Sequence, residues 1–158
     1  MDANTLLSPT ALTVAGAVTG SVATATGTRS VWYRRLRKPS IQPPGAVFPV
    51  VWTGLYASVI GASAVAVGSL PDSERSAYQR ALAINMALNS GWCWTFFRFH
   101  RLTASVVVAG ALAVSTADLA RRAGRASGPA GVALLPYAAW TAFATALSEA
   151  IRRANPRA

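Results

Sequence analysis

The sequence predicts an all-α integral membrane protein, a single bundle of five transmembrane helices. Composition is the first reason. Hydrophobic residues make up 53% of the chain and charged residues 13%, yet the formal charge is +10 and the mean hydropathy is +0.36. A nucleic-acid binder would gather such charge on a folded polar surface, whereas here it falls in short bursts between apolar runs, so nucleic acid is not an expected partner. Spacing is the second reason: no charged side chain occurs between Asp2 and Arg29, Lys38 and Asp72, Arg80 and Arg98, Arg101 and Asp118, or Arg125 and Glu149. Crossing the hydrocarbon layer takes about 20 apolar residues, within roughly 17 to 25. Third, runs such as 46–70 and 102–117 lack the sustained charged face of a soluble bundle. In lipid every backbone polar group must be satisfied internally, which leaves helices as the form for such segments.

The expected helices are 5–27, 46–70, 79–98, 102–121 and 129–151, with a basic, proline-rich loop at 29–45. The first is the least hydrophobic, rich in Ala, Thr, Gly and Ser, and its VATAT segment loosely suits signal-peptide cleavage. A signal peptide wants a positive leading region, however, and Asp2 without an early Lys or Arg favours a retained helix. The third and fourth are short, so Arg98, Arg101, Arg121 and Arg122 must snorkel to the headgroups. The fifth ends where Arg152 and Arg153 follow Glu149 at helical spacing, which predicts an ion pair at the helix end.

Five spans place the termini on opposite faces. One face receives Arg29, Arg34, Arg35, Arg37, Lys38, Arg98, Arg101, Arg152, Arg153 and Arg157, the other only Arg75, Arg80, Arg121, Arg122 and Arg125. Retention of Lys and Arg on the cytoplasmic side puts the basic loop and C-terminus inside and the N-terminus outside. Dense Ala and Arg usage suggests a bacterium, and helical spans its cytoplasmic (inner) membrane. Anionic lipid is a sufficient partner for the positive charge.

Conventional catalytic sets are missing. One Cys, one His and a handful of acids supply no CxxC pair, no metal-ligand cluster and no phosphate-cradling loop, so neither metal nor cofactor is expected. Cys93, in the third span, reads as a buried inert thiol. His100, between Arg98 and Arg101, reads as an interfacial side chain rather than a haem ligand.

Aromatic and amide chemistry remains, at helical spacing. Asn85, Asn89, Trp92 and Phe96 recur every three or four residues on one face of the third span, while Ala83, Ala87 and Gly91 repeat every four on the opposite face. Small residues at that spacing let helices approach closely, within one subunit or across a homodimer. Tyr137, Trp140, Ala144 and Ser148 share a face of the fifth span, and Trp52 and Tyr56 one of the second. Trp32, Tyr33 and Trp94 suit the aromatic belt at headgroup level. Trp52 and Trp140 facing inward with Asn85 and Asn89 would form an apolar, aromatic pocket with a few polar anchors, fit for a flat hydrophobic ligand.

These residues resemble the translocator protein or tryptophan-rich sensory protein family (TspO/MBR). WYRRLRKPSIQPP is similar to its Trp-Tyr, Leu-x-Lys-Pro and Pro-Pro signature, and VVWTGLY to the start of its second helix. ALAINMALNSGWCWTFF resembles its third-helix pattern at Leu88, Asn89, Trp92, Phe96 and Phe97, and LLPYAAWTAFATALS its fifth. The matches run in order from Trp32 to Ser148. Departures fall in the loop, where Ile41 and Ala46 stand at positions the family commonly fills with aromatics, and in the helices, where Asn85 replaces a usual Gln and Ser148 an often-seen Asn. The C-terminal cholesterol-recognition pattern is not formed, because Tyr137 is far from Arg152.

The resemblance implies a five-helix, often dimeric membrane protein that binds porphyrins and related tetrapyrroles beneath its first loop. A flat disc would stack on indoles while its propionates meet Arg34, Arg35, Arg37 and Lys38. By position, Tyr33, Pro43, Pro44, Asn85, Asn89, Ala144 and Ser148 match pocket-lining residues, with Tyr56, Trp92, Phe96 and Tyr137 alongside. Trp52 and Trp140 match the tryptophans associated in some members with light-dependent porphyrin breakdown. Tetrapyrrole sensing, transport or regulation is the leading expectation. A slow photo-oxidative enzyme is the alternative, and a structural or regulatory scaffold the third.

Overall fold

A computed structural model describes the backbone of residues 3–156 and the side chains of residues 8–156. The charge-free runs wind into helices throughout, and no strand occurs among the described residues. In order these are α1 (Ala3–Gly27), a short α2 (Val31–Arg35), α3 (Val47–Ser69), α4 (Asp72–Cys93), α5 (Leu102–Ala126), a short α6 (Gly128–Ala133) and α7 (Leu135–Ala154). A π-helical turn, Trp94–Arg98, prolongs α4. Three segments are long and apolar enough to cross a membrane: α3, α5, and the stretch from Gly128 to Ala154 that contains α6 and α7.

Polar chemistry moves the helix ends away from where the apolar runs end. α4 begins at Asp72 rather than near residue 79, because Asp72 and Glu74 occupy its first turn, where the positive end of the helix dipole favours carboxylates. α5 continues to Ala126, with Asp118 paired to Arg121 and to Arg122 (2.6 Å) along its surface. The last helical stretch is broken at Leu134. Pro136 has no N–H to give the carbonyl of Val132, and the Leu134 N–H bonds instead to the Gly131 carbonyl at 3.1 Å. Within the basic loop, Ser30 starts α2 by accepting the Tyr33 N–H at 3.1 Å on its hydroxyl.

The long helices pack as a ring. α4 lies between α1 and α5, α5 between α4 and α7, and α3 closes the circuit against α1, α5 and α6. The α1–α4 seam is built on glycine. A Cβ on Gly16 would sit 2.9 Å from Met86 Cβ, and one on Gly20 3.3 Å from Cys93 Sγ. Hydrogen bonds reinforce that contact: Ser90 Oγ donates to the Gly16 carbonyl at 2.8 Å and Trp94 Nε1 to the Thr19 carbonyl at 3.1 Å. Where α3 faces α4 and α7 the backbones approach closely at few points, and large side chains fill the gap.

The first loop, the third loop and the end of α7 gather at one end of the ring. The Trp32 indole stacks on the His100 ring with centroids 4.1 Å apart. The Asn155 side chain accepts the Arg37 N–H at 2.8 Å and donates to the Arg37 carbonyl at 2.9 Å, holding the loop to α7 by its backbone. Leu36 drops from the loop into a cluster with Phe96, Leu102, Leu147 and Ile151. The same end carries Arg29, Arg34, Arg35, Arg37, Lys38, Arg98, Arg101, Arg152 and Arg153, and Arg157 lies outside the described residues.

Candidate functional site: a tryptophan cluster between helices

The wide gap between α3 and α7 is filled by aromatic rings around Trp52. Its ring stacks on Tyr56, one helical turn further on, with centroids 5.4 Å apart. Trp92 from α4 lies at 6.2 Å, while Tyr137 and Trp140 from α7 meet Trp52 edge-on at 6.3 and 6.5 Å. Phe48 and Phe143 frame Trp140 at 5.9 and 5.3 Å. Offset and edge-on arrangements suit the ring quadrupole, adding roughly 0.5–1.5 kcal/mol per pair beyond burial. Tyr137 and Trp92 are buried, whereas Trp52, Tyr56 and Trp140 are half-buried and present the accessible faces.

Beneath the rings runs a chain of hydrogen bonds. Tyr56 donates its hydroxyl to Asn89 Oδ1 at 2.9 Å, and Asn89 Nδ2 donates to the Tyr137 oxygen at 3.4 Å. Tyr137 in turn donates to Asn85 Oδ1 at 2.8 Å, and Asn85 Nδ2 reaches Thr116 at 2.9 Å and Ser115 at 3.2 Å. α3, α4, α5 and α7 are thereby tied together by amides and hydroxyls. Asn85 and Asn89 are fully buried, so these amides brace the cluster from behind. An unpaired polar group in so apolar a setting costs about 1–3 kcal/mol; Ser115 and Thr116 answer the Asn85 amide, and the Tyr56 and Tyr137 hydroxyls answer Asn89. Trp92 makes the matching contact on the other side, donating Nε1 to Ser148 Oγ at 3.1 Å, with Ala144 buried beside it.

Most of the sequence-derived candidates therefore meet in one region: Trp52, Tyr56, Asn85, Asn89, Trp92, Tyr137, Trp140, Ala144 and Ser148. Tyr33 and Phe96 form an adjoining layer toward the basic end, Tyr33 lying 6.4 Å from Phe96 and 5.6 Å from Phe97. Lys38 Nζ sits 4.8 Å above the Tyr33 ring, and Gln42 Nε2 donates to its hydroxyl at 3.4 Å. Burial pushes the Tyr33 phenol above its ordinary value of 10, partly opposed by the Gln42 bond, so the group is a neutral hydroxyl at physiological pH. Pro43 is half-buried and Pro44 exposed, both in the loop rather than among the rings. Ala83 and Gly91 are half-buried and Ala87 is exposed, so that face of α4 is only partly covered.

Glu149 takes Arg152 at 2.7 Å and Arg153 at 2.6 Å, Cys93 is buried against α1, and no group of three metal-ligating side chains occurs among the described residues. Sequence reasoning missed Phe48, Phe143, Ser115, Thr116 and Asn155. Phe48 stands four residues before Trp52 and Phe143 three after Trp140, a spacing that marks a shared face. The hydroxyls and Asn155 carry no such signal.

The ordered motifs across these helices find their counterpart in known proteins. The profile of the TspO/MBR family matches residues 9–153. This chain belongs to the TspO/MBR family. Among curated TspO/MBR relatives, the tryptophan-rich protein TspO of Chlorobaculum tepidum is 34% identical over 80% of this chain and 81% of its own length. Protein CrtK of Rhodobacter capsulatus is 32% identical over 79% of each chain, and the human translocator protein 33% identical over 78% of this chain and 75% of its own. A TspO/MBR chain with several apolar helices is a membrane protein, and three of its five tryptophans, Trp52, Trp92 and Trp140, meet in one packed cluster.

Proposed function

We propose that this TspO/MBR protein spans the membrane with five helices and binds a planar tetrapyrrole against the Trp52–Trp140 cluster, under the basic loop, in sensing, transport or regulation. The observation that carries the reading is the pairing of half-buried indole faces with cations. Trp52 and Trp140 meet edge-on at 6.5 Å, leaving faces for an apolar disc, while Arg34, Arg35, Arg37 and Lys38 belong to the loop that is pinned to the end of α7. Relatives named tryptophan-rich sensory protein and translocator protein fit this class. Because Asn85 and Asn89 are fully buried and already bonded to neighbouring hydroxyls, the ligand is placed on the ring faces rather than against these amides.

Titrating protoporphyrin IX in the dark tests this through tryptophan fluorescence. Saturable quenching is expected, with affinity about tenfold weaker or more in a Trp52→Ala, Trp140→Ala double variant, since stacking on two indoles is lost. Quenching that is absent, or the same in the variant, removes the reading. The adjacency of two indoles also supports a second function, slow photo-oxidation of the bound porphyrin with oxygen. Trp140→Phe preserves stacking but not indole redox chemistry, so light-dependent product formation should fall while dark binding stays.

Orientation and assembly complete the proposal. α1 and α4 cross the bilayer with the other three, the basic end faces the cytoplasm of a bacterium, and the N-terminus lies outside the inner membrane. Two copies pair through Ala83, Ala87 and Gly91, a face on which Ala87 is exposed and Ala83 and Gly91 are only half-buried. Gly91→Leu should then reduce dimer content in detergent, and undiminished dimers would place the contact elsewhere.

A further inference from the structure

Away from the aromatic cluster, a cavity of about 660 Å³ opens between the third loop and the C-terminal end of α7. Its walls mix Arg101, Arg152 and Arg153 with Leu102, Thr103 and Asn155, and none of the cluster's rings contributes to it. α5 begins at Leu102 and α7 ends at Ala154, so the cavity sits where two apolar helices end. That is the level at which lipid headgroups lie.

The charges there are not balanced. Arg152 and Arg153 share the single carboxylate of Glu149, and Arg101 has no acidic partner within salt-bridge distance among the described residues. Three arginines against one carboxylate leave a surplus of two positive charges (3 − 1) around the opening. Guanidinium groups are planar forks that match phosphate oxygens, and Leu102 supplies an apolar wall for the chain that a lipid phosphate carries.

The walls are also held in place. His100 adopts a left-handed backbone conformation (φ 55°), closing the π-turn so that its ring stacks on Trp32 and Arg101 heads α5. His tolerates this region better than most residues. Opposite, Asn155 is fixed by its two bonds to Arg37 and a third to the Ile151 carbonyl. We propose that this cavity binds the phosphate headgroup of an anionic membrane lipid, through Arg101 and Arg153 with Arg152 as support. Basic pockets between helices at the cytoplasmic face are suited to such headgroups.

The test uses the full chain in detergent, with dioctanoyl phosphatidylglycerol, dioctanoyl phosphatidylcholine and sodium phosphate as separate probes, read by thermophoresis. Phosphatidylglycerol should bind saturably and at least tenfold tighter than phosphatidylcholine. Arg101→Gln with Arg153→Gln should weaken it roughly 25-fold, at about fivefold per arginine. Arg29→Gln with Arg98→Gln removes equal charge from the same end outside the cavity and should change it less than twofold. If the glutamine pair does not fold, judged by circular dichroism, Arg101→Lys with Arg153→Lys keeps the charge and should retain binding within about fivefold. Equal binding of the two lipids, an equal loss in the Arg29/Arg98 variant, or complete loss in the lysine variant overturns the site. Inorganic phosphate binding as tightly as phosphatidylglycerol would assign the cavity to free phosphate and overturn the lipid assignment.

Discussion

Two seams of this helix ring are closed by opposite means. Between α1 and α4 the backbones touch through Gly16 and Gly20, with Ser90 and Trp94 hydrogen-bonded to main-chain carbonyls across the contact. Between α3 and α7 the backbones stand apart, and Trp52, Tyr56, Tyr137 and Trp140 fill the space over a braced layer of amides. A glycine seam has no side chain to move, so it admits nothing. A ring-filled seam can admit a flat apolar guest by sliding rings while its buried hydrogen bonds stay intact. Stability should therefore reside mainly in the first seam and ligand recognition in the second.

The sharpest way to break that division is to crowd the glycine seam. Gly16→Val places new carbon where even a Cβ would be 2.9 Å from Met86 Cβ and 3.3 Å from the Met86 carbonyl oxygen, neither of which can retreat without moving α4. Overpacking of this kind costs roughly 1–3 kcal/mol. The thermal midpoint in detergent should fall clearly, while the fraction that remains folded should bind protoporphyrin IX within twofold of the native chain. A large loss of affinity in folded protein would mean that the two seams are coupled.

A smaller effect is expected from Tyr137→Phe, which keeps the ring beside Trp52 but deletes the hydroxyl that donates to Asn85 and accepts from Asn89. Hydrogen bonds between membrane helices contribute about 0.6 kcal/mol on average and at most about 1.7, so about 1 kcal/mol should be lost. Stability should drop and porphyrin affinity should not. If affinity falls tenfold with stability unchanged, the amide layer contacts the ligand and is not a brace.

The two seams were unequally visible in the sequence. The aromatic residues stand out because large rings at intervals of three and four declare a common face in any helix, and Phe48 and Phe143 follow the same rule. Ser115 and Thr116, the partners of Asn85, do not, since small hydroxyls are common in apolar helices and nothing local tells which one opposes an amide. Small-residue spacing is present on both α1 and α4. Spacing alone cannot say which stripe meets a helix of the same chain, and it is Gly16 and Gly20 of α1 that press on α4, while Ala87 is exposed. The apolar runs of α3 and α5 were legible from their lack of charge. The start of α4 at Asp72 was not, because its first turns are polar and held by helix-end electrostatics instead of lipid.

The smallest change tests what joins the basic loop to the ring-filled seam. Asn155 meets both the N–H and the carbonyl of Arg37, so Asn155→Ala removes these two exposed hydrogen bonds together with the one to the Ile151 carbonyl; water replaces them, and the net cost is about 1 kcal/mol. The thermal midpoint should hardly move, since Leu36 stays buried against Phe96 and Ile151. The loop between Leu36 and Val47 would lose its polar anchor to α7, and with it the fixed placement of Arg37 and of Lys38, whose Nζ lies over the Tyr33 ring. Protoporphyrin IX should then dissociate a few-fold faster in stopped-flow fluorescence, with its association rate little changed, because the cations still attract the propionates but no longer hold them. Unchanged dissociation would show that the loop does not cover the ligand, leaving the rings of α3 and α7 to bind it alone.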